Sequence, residues 1–304
     1  MRDDHIFIMA PPRSGTEMLS RSLGRLPETY LITEHKNKEE IPEEKNPTPD
    51  REFWQETFGL SRLPEEVSEE VEFDAPAFAR LNQLWTANSG DRRLIIKNPN
   101  NVVRARQIRR ALPNAKFVWL LRNPWSVIQS MLGGKRAGQK RGAFVAASEV
   151  LQHKDPVLRA AAGWLFSVQV MRNIALPTDI ISRYENIVAQ PEQELKRIAA
   201  LAGLAFTEGA AAVPHVRKDD FAPLRYLLHR SPVREQILEL IGPVASELGY
   251  PGTPPQGFPG GDWIFGIRHF FYCMRQPHKE RPYGFPRAQK ISAAIIDARP
   301  RLSR

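Results

Sequence analysis

The sequence predicts an α/β fold in which a parallel β-sheet is flanked by helices. Short apolar runs with the length of buried strands alternate with segments of helical spacing along most of the chain. Polar and turn-forming residues follow these runs, where the loops of a parallel sheet carry ligands. The 304 residues are 42% hydrophobic and 25% charged, which is typical of a globular protein with a sizeable core.

The chain begins with a predicted strand, a tight turn and a helix. Residues 5–10, HIFIMA, are almost all apolar, as expected for a buried strand. Apolar residues at helical spacing follow over 17–24, and Gly24 marks the end of that helix. The next segment is acidic, polar and interrupted by prolines, so we predict a long loop or lid at about 34–74.

Strands and helices continue to alternate over the rest of the chain. The further predicted strands are 92–98, 116–123 and 179–185. The further predicted helices are 75–88, 101–111, 124–132, 142–152, 156–175, 191–203 and 231–248. Pro191 and Gly203 delimit one of these helices, and Ser231 is the predicted N-cap of another. We expect residues 1–250 to form one domain and 251–304 to form a C-terminal extension packed on it.

The charge of the chain is unevenly distributed. The formal net charge is +9, yet residues 34–74 contain 5 Lys and Arg against 14 Asp and Glu, so the remainder carries +18. A basic surface of this strength attracts nucleic acid, acidic glycans, a phosphorylated cofactor or an anionic membrane face. Charge alone does not distinguish these classes of ligand.

Three features bear on where the protein works. No apolar run reaches the roughly 18 residues that a membrane span needs. The N-terminus carries acids where a signal peptide carries positive charge, so we expect a cytoplasmic protein. Cys273 is the only cysteine, which excludes an intrachain disulfide and a cysteine-rich metal site and is typical of a reducing compartment.

The turn after the first strand is predicted to bind a phosphate group. It reads PPRSGT, directly before a helix whose first N–H groups are unsatisfied and carry partial positive charge. Gly15 permits unusual backbone angles, Ser14 and Thr16 offer hydroxyl donors, and the guanidinium of Arg13 adds a charged fork. The GK[ST] motif of NTPases is absent after this turn, which indicates a ligand that needs less help from a metal, such as a nucleotide without a β,γ-diphosphate. An ordinary strand-to-helix turn uses the same small residues and stays open as an alternative.

Three motifs make the sequence resemble a known enzyme family. PPRSGTEML at 11–19 resembles the 5′-phosphosulfate loop of sulfotransferases that use 3′-phosphoadenosine 5′-phosphosulfate (PAPS). KFVWLLRNPWSVIQS is similar to the family's 3′-phosphate site, with Arg122 at a strand end and Ser130 eight positions later in a helix. SRYENIVAQPEQELKRIAALAGL is similar to the strand end where the family has a tyrosine near the adenine, here Tyr184. The matches follow the family's order over roughly residues 5–205.

The resemblance implies a P-loop-like sulfotransferase fold that binds PAPS as co-substrate without a metal. It implies that the 5′-phosphosulfate is held by Arg13, Ser14, Gly15, Thr16 and Glu17. It also implies that Arg122 and Ser130 bind the 3′-phosphate, which a forked guanidinium suits. The stretch HVRKDDF loosely resembles a basic segment that closes over this phosphate, with Asp219 in place of glycine, and makes Arg217 and Lys218 candidate ligands.

Catalytic roles are implied in the same way. Arg13 stands where many members have lysine, and its permanent charge is expected to stabilise the leaving oxygen. Lys97 lies in IIKNPNN, which resembles a K[TS]P element with Asn98 replacing the hydroxyl residue, and is expected at the sulfuryl oxygens or the acceptor. Glu34 and His35 are the candidates for the base. Family members that act on glycans or tyrosine use a glutamate, so the resemblance favours Glu34.

The resemblance therefore implies a sulfotransferase, closer to the carbohydrate and tyrosyl branches, that moves a sulfuryl group from PAPS to an acceptor hydroxyl or amine. A glycan, a glycolipid and a hydroxylated metabolite stay open as acceptors. The alternatives are a P-loop-type kinase and a basic polyanion-binding protein without catalysis. Nucleic-acid binding is disfavoured because the cations lie at separate strand ends. The tail at 262–285 has apolar residues at helical spacing with cationic residues beside them, and it is a candidate for packing on the core, on a second copy in a homodimer or on a membrane surface.

Overall fold

A five-stranded parallel sheet forms the centre of the part of the chain that the structure describes. The computed structural model describes residues 4–33, 89–132, 148–209 and 231–254, with isolated positions between 79 and 86 and between 221 and 229. The strands are β1 Ile6–Met9, β2 Thr29–Thr33, β3 Arg93–Lys97, β4 Lys116–Leu121 and β5 Ile180–Arg183. Their spatial order is β2-β3-β1-β4-β5, and every neighbouring pair is parallel. The predicted α/β class is confirmed.

Helices of varied length connect these strands. In the described residues they are α1 Thr16–Leu23, a 3₁₀ turn Pro99–Val102, α2 Ala105–Ala111, α3 Pro124–Met131, α4 Ser148–Leu151, α5 Pro156–Ile174, α6 Tyr184–Ala189, α7 Pro191–Ala202 and α8 Arg234–Glu247. Asn123 caps α3, because its Oδ1 accepts a hydrogen bond of 2.9 Å from the backbone N–H of Trp125. Gly203 ends α7 in the left-handed region, with φ 76°. Over the described part of the chain, no helix has the length and apolar character that a bilayer crossing requires.

The strand order places a ligand-binding edge beside β1. After β1 the chain builds β2 and β3 on one side of it, and afterwards β4 and β5 on the other side. In open parallel sheets ligands bind at the carboxyl ends of the strands between which the direction of winding reverses. Here these strands are β1 and β4, whose ends pair at Met9 and Trp119. A ligand is therefore expected to bind at the turns after these two strands.

One face of the sheet packs against α1, α6 and α7. Alternate strand residues point to this face, among them Ile8 of β1 and Val118 of β4. Leu19 of α1, Ile187 of α6 and Ile198 of α7 belong to the same buried cluster and are fully buried. Each such side chain contributes roughly 1.5–3 kcal/mol to folding. The burial holds α1 and α6 against the carboxyl ends of the central strands.

The opposite face of the sheet is aromatic. Phe7 and Phe117 meet edge to face with ring centroids 5.9 Å apart, and Phe117 meets Trp119 in the same way at 5.6 Å. The guanidinium of Arg109, from α2, lies 3.8 Å from the centroid of the Phe117 ring. Helices therefore cover both faces of the sheet, as the sequence predicts.

Asp179 links these elements through a buried carboxylate. Its side chain is 1% exposed and accepts hydrogen bonds from Nη2 of Arg109 at 2.6 and 2.7 Å. It also accepts from the backbone N–H of Phe117, from Nε1 of Trp119 and from the backbone N–H of Leu176, at 3.2, 3.3 and 3.0 Å. The carboxylate thus ties α2 and β4 to the turn before β5, and it offsets the charge of Arg109.

Replacing Asp179 by asparagine is expected to lower the free energy of unfolding by about 1–3 kcal/mol, because Arg109 keeps its charge and loses its charged acceptor. Urea unfolding monitored by circular dichroism measures this change. Glu208→Gln removes the same charge from an exposed position and is expected to change the free energy by less than about 0.5 kcal/mol. Equal stability of Asp179→Asn and the unmodified chain would refute the assigned role.

The chain divides into two compact units. The first comprises 1–122, 144–152 and 163–217 and contains the sheet, and the second comprises 123–143, 153–162 and 218–304. Within the second unit, Nε1 of Trp125 donates to the carbonyl of Pro251 at 2.8 Å. In the same unit, Oγ of Ser231 donates to Oδ2 of Asp155 at 2.9 Å. The predicted boundary between 1–250 and 251–304 stays a prediction, since residues after 254 lie outside the described part.

The sequence analysis predicts four strands and does not predict β2. Its five residues, TYLIT, are all buried, so they show no alternation of apolar and polar residues. Oγ1 of Thr29 donates to the carbonyls of Leu23 and Leu26, each at 2.8 Å, which satisfies a polar group inside the core. The β-branched and aromatic composition of the run is the signal that favours a strand here.

Several predicted boundaries differ from the structure. The stretch 101–111 begins as part of the 3₁₀ turn and becomes α-helical only at Ala105. Tyr184 begins α6 and does not end β5, because the sheet pairing stops at Arg183. Val233, and not the predicted Ser231, is the N-cap of α8. Oγ of Ser231 donates to Asp155 and accepts from the backbone N–H of Val233 at 3.3 Å. Described positions within the predicted helix 75–88 are helical at Ala79, Asn82, Gln83 and Thr86.

Candidate functional site

The turn between β1 and α1 has an unusual backbone. Arg13 has φ 71° and Gly15 has φ 93°, so two of three consecutive residues adopt left-handed angles. An arginine with this φ is uncommon and is held by its surroundings. Gly15 is the N-cap of α1, and no side chain caps the helix. The first N–H groups of α1 therefore face the turn without a side-chain acceptor, as an anion site requires.

Ser14 adds a buried hydroxyl to this turn. Its side chain is 0% exposed, and its Oγ has no hydrogen-bond partner among the residues that the structure describes. Buried hydroxyl groups in folded proteins are nearly always hydrogen-bonded, to protein, water or ligand. The unpartnered Oγ is thus a second polar group, beside the first amides of α1, that is available to an anion.

Tyr184 packs directly on the glycine of the turn. A Cβ atom built on Gly15 would lie 2.4 and 2.7 Å from Cδ2 and Cε2 of the Tyr184 ring, well inside van der Waals contact. Glycine is therefore required for the close approach as well as for the positive φ. Because Tyr184 is the first residue of α6, this contact joins the end of β5 to the turn after β1.

Arg122 completes this group of residues. Its guanidinium lies 4.1 Å from the centroid of the Tyr184 ring, and its Nη1 donates to the carbonyl of Arg13 at 2.8 Å. Nε1 of Trp164 in α5 donates to the carbonyl of Arg122 at 3.0 Å, which fixes the backbone after β4. The turn, Arg122 and Tyr184 come from three distant parts of the sequence and meet at the sheet edge expected from the strand order.

Lys97 lies at the same edge but is bound by an acid. It is the last residue of β3 and pairs with Ile8 of β1 and with Thr33 of β2. Its side chain is 4% exposed, and its Nζ lies 3.1 Å from Oε2 of Glu17 in the first turn of α1. Lys97 is thus a buried, ion-paired lysine beside the turn.

Glu17 is held from two sides. Nε of Arg21 donates to its Oε1 at 2.7 Å, one helical turn further along α1. Burial acts to raise the pKa of the Glu17 carboxyl, but the charge of Lys97 and the hydrogen bonds from Arg21 and Lys97 outweigh burial and lower the pKa below its usual value. Glu17 is therefore ionised at neutral pH, and its carboxylate neutralises two cations at the site.

The remaining predicted site residues are not brought into this group by the described structure. Ser130 is half-buried in α3 and belongs to the second compact unit, so its pairing with Arg122 stays a prediction. The predictions on Glu34, His35, Arg217 and Lys218 lie outside the described residues.

Some features of the site are not apparent from the sequence reasoning. The ion pairs of Glu17 with Lys97 and Arg21 were not predicted, although the spacing of Glu17 and Arg21 is the one that favours a pair on a helix. Asn101, in the 3₁₀ turn after β3, is 0% exposed, and both atoms of its amide lack a partner among the described residues. Within the described ranges, no group of three or more His, Cys, Asp or Glu is placed to hold a metal ion.

Comparison with solved structures shows a shared fold. Sulfotransferase STF1 from Mycobacterium tuberculosis is 15% identical over 78% of this chain and 76% of that chain, with a TM-score of 0.50. Sulfotransferase STF9 from Mycobacterium avium is 12% identical over 82% of this chain and 78% of that chain, also with a TM-score of 0.50. The sulfotransferase domain from the curacin biosynthetic pathway is 19% identical over 81% of this chain and 98% of that chain, with a TM-score of 0.49.

Comparison of the sequence with models of protein families shows to which family the chain belongs. No curated protein sequence matches it significantly. The model of the sulfotransferase family matches residues 5–208, which is more than half of the chain and includes all five strands of the sheet. The turn after β1, Arg122 and Tyr184 all lie within the matched range. The chain belongs to the sulfotransferase family.

Proposed function

We propose that the protein transfers a sulfuryl group from PAPS to a hydroxyl or amine of an acceptor. The observation that carries this proposal is the meeting of Arg122, Tyr184 and the glycine turn at the switch point of the sheet. The turn offers an anion site, Arg122 offers a guanidinium with several N–H donors, and Tyr184 offers an aromatic ring. Together these groups suit a nucleotide with phosphate groups at both ends.

The two ends of the nucleotide are assigned to different groups. The unsatisfied first amides of α1 and the buried Oγ of Ser14 suit the 5′-phosphosulfate. Arg122, together with Ser130, is the proposed ligand of the 3′-phosphate. Nη1 of Arg122 already donates to the carbonyl of Arg13, so the turn fixes the orientation of the guanidinium. Preorganisation of this kind reduces the entropic cost of binding.

The proposed reaction is an in-line displacement at sulfur. A bond forms between the acceptor oxygen or nitrogen and sulfur, while the bond between sulfur and the oxygen bridging to the 5′-phosphate breaks, releasing adenosine 3′,5′-bisphosphate. Negative charge develops on the bridging oxygen, where Arg13 and Lys97 are the proposed stabilising cations. Arginine side chains carry a permanent charge, so the proposed role of Arg13 is electrostatic and not that of a proton donor. Glu34 is the proposed base that receives the acceptor proton.

Sulfur transfer is tested by incubating the full chain with [³⁵S]PAPS and a panel of glycans, glycolipids and hydroxylated metabolites. We expect label to move to at least one acceptor class and to be absent without protein. A parallel incubation with [γ-³²P]ATP tests the kinase alternative. Phosphate transfer from ATP, with no sulfur transfer from PAPS, would overturn the proposed function. The acceptor labelled in this panel also identifies the substrate class.

Substituting alanine for Arg122 is expected to weaken the binding of adenosine 3′,5′-bisphosphate by about 10- to 100-fold, because a charged, forked contact to phosphate is lost. Isothermal titration calorimetry measures the change. Arg110→Ala removes the same charge from an exposed position of α2 and is expected to leave the affinity nearly unchanged. Equal losses in the two variants would show that only net charge matters and would contradict the assignment of Arg122.

A further inference from the structure

The ring of Tyr184 contacts two groups that are assigned to different ends of the nucleotide. A Cβ atom built on Gly15 would lie 2.4 Å from Cδ2 of the ring, so the ring packs directly on the turn assigned to the 5′-phosphosulfate. The guanidinium of Arg122, assigned to the 3′-phosphate, lies over the same ring at 4.1 Å from its centroid. One side chain thus contacts both proposed phosphate sites.

The turn, Arg122 and Tyr184 form a closed set of three contacts. The third contact is the hydrogen bond of 2.8 Å that Nη1 of Arg122 donates to the carbonyl of Arg13 in the turn. Arg122 takes part in further interactions, so Tyr184 is one of its supports among several. Removal of the Tyr184 ring nevertheless breaks two of the three contacts in the set, those with Gly15 and with Arg122.

Tyr184 is itself held in place by the fold. It is the first residue of α6 and directly follows Arg183, the last residue of β5. Its side chain packs against the buried cluster on one face of the sheet, to which Ile187 of the same helix belongs with 0% exposure. A ring fixed by the core in this way is suited to hold the groups that contact it.

Both of these groups gain from a fixed neighbour. The turn contains φ values of 71° at Arg13 and 93° at Gly15, and an arginine keeps such an angle only where surrounding contacts support it. The long side chain of Arg122 loses rotamer freedom when its guanidinium binds a phosphate. Stacking on an aromatic ring restricts the guanidinium before the ligand arrives, which reduces this entropic cost.

We propose that Tyr184 is a positioning residue shared by the two phosphate sites. Its ring holds the guanidinium of Arg122 for the 3′-phosphate and the turn at Gly15 for the 5′-phosphosulfate. This inference rests on the proposed function and deepens it. It goes beyond the adenine contact that the resemblance implies, because an adenine contact contributes equally to every adenosine ligand. The ring carries the role and the hydroxyl group does not, since the contacts with Gly15 and Arg122 are made by the ring.

Three adenosine ligands separate the two sites without knowledge of the acceptor. Adenosine 3′,5′-bisphosphate differs from adenosine 5′-monophosphate by the 3′-phosphate and from adenosine 3′-monophosphate by the 5′-phosphate. The ratio of the dissociation constants within each pair is the gain in affinity from that phosphate. A contribution from adenine cancels in both ratios. Titration calorimetry of the full chain with the three ligands measures both gains.

We expect Tyr184→Leu to decrease both gains by about three- to tenfold, the size of a partly desolvated contact between a guanidinium and an aromatic ring. Tyr184→Phe keeps the ring and is expected to keep both gains. The matched control is Phe206→Leu, which removes a partly buried ring that packs against the same cluster. Phe206 follows Ala205, whose backbone N–H donates to the carboxylate of Glu28, directly before β2 and thus at the amino ends of the strands. This control is expected to keep both gains.

Three results would overturn the shared role of Tyr184. The first is an equal loss of affinity for all three ligands in Tyr184→Leu, as expected from an adenine contact alone. The second is a decrease in only one of the two gains. The third is the same decrease in Tyr184→Phe as in Tyr184→Leu, which would assign the effect to the hydroxyl group.

Urea unfolding shows whether each variant is cooperatively folded. If Tyr184→Leu is not, Tyr184→Met replaces it, because the flexible side chain of methionine adapts to the space left by the ring. Tyr184→Met is likewise expected to decrease both gains, and unchanged gains in this variant would again overturn the proposal. If neither phosphate increases the affinity of the unmodified chain, the proposed function itself is refuted, so the two failures are distinguishable.

Discussion

Replacing Gly15 by alanine is expected to lower the free energy of unfolding by about 2–5 kcal/mol, the sum of left-handed strain and overpacking. The added Cβ would lie 2.4 Å from the Tyr184 ring, so the turn or the ring has to move. Either movement displaces the first amides of α1 from their position. We therefore also expect the affinity for adenosine 3′,5′-bisphosphate to fall by at least about a hundredfold, as a loss of several charge-assisted hydrogen bonds implies. Urea unfolding and calorimetry measure the two effects.

A second glycine separates strain from steric conflict. Gly90 also has a positive φ, 59°, but a Cβ there would meet nothing within 4 Å. Gly90→Ala is therefore expected to cost about 1–2 kcal/mol of stability, from backbone strain alone. Adding Tyr184→Ala to Gly15→Ala removes the ring that the Cβ meets, so the double variant is expected to lose less stability than the two single changes sum to. Strict additivity would contradict the packing of Tyr184 on Gly15.

Changing Glu34 to glutamine is expected to reduce the rate of sulfuryl transfer by about 10²- to 10⁴-fold, the usual contribution of a positioned general base. Thr33, the preceding residue, ends β2 and pairs with Lys97, which is proposed to contact the sulfuryl group. In the sequence, Glu34 thus directly follows the end of the strand that pairs with Lys97. The rate is measured as transfer of ³⁵S to the acceptor that the panel identifies.

His35 provides the matched comparison, because it is the other candidate for the base. His35→Asn is expected to retain most of the rate if Glu34 takes the proton. Both variants are expected to bind adenosine 3′,5′-bisphosphate as the unmodified chain does, since neither residue is assigned to the nucleotide. A large loss of rate in His35→Asn, with a small loss in Glu34→Gln, would transfer the role of base to His35.

Much of the fold is predictable from local patterns in the sequence. The four predicted strands are apolar runs bounded by polar or turn-forming residues, and all four are present. β2 is not predicted because a short strand that is buried along its whole length shows no alternation of apolar and polar residues. Its pairing with β3 depends on contacts between distant residues, from Thr29 with Arg93 to Thr33 with Lys97, which a single sequence does not display.

The candidate site is predictable in part for the same reason. The turn, Arg122 and Tyr184 are each recognisable because a short motif carries them, and the parallel sheet brings them to one edge. The bond between Lys97 and Glu17 is not recognisable, since it joins residues 80 positions apart through side-chain packing. The positive φ of Arg13 is likewise set by tertiary contacts, among them the bond from Arg122, and not by residue type.

The central claim is that one sheet edge holds both ends of an adenosine nucleotide. Calorimetric titration of the cooperatively folded chain with adenosine 3′,5′-bisphosphate tests it most directly, with adenosine 5′-monophosphate as the comparison that lacks the 3′-phosphate. We predict saturable one-to-one binding of the bisphosphate, at least about tenfold tighter than that of the monophosphate. Absence of binding, or equal affinity for the two nucleotides, would contradict the account.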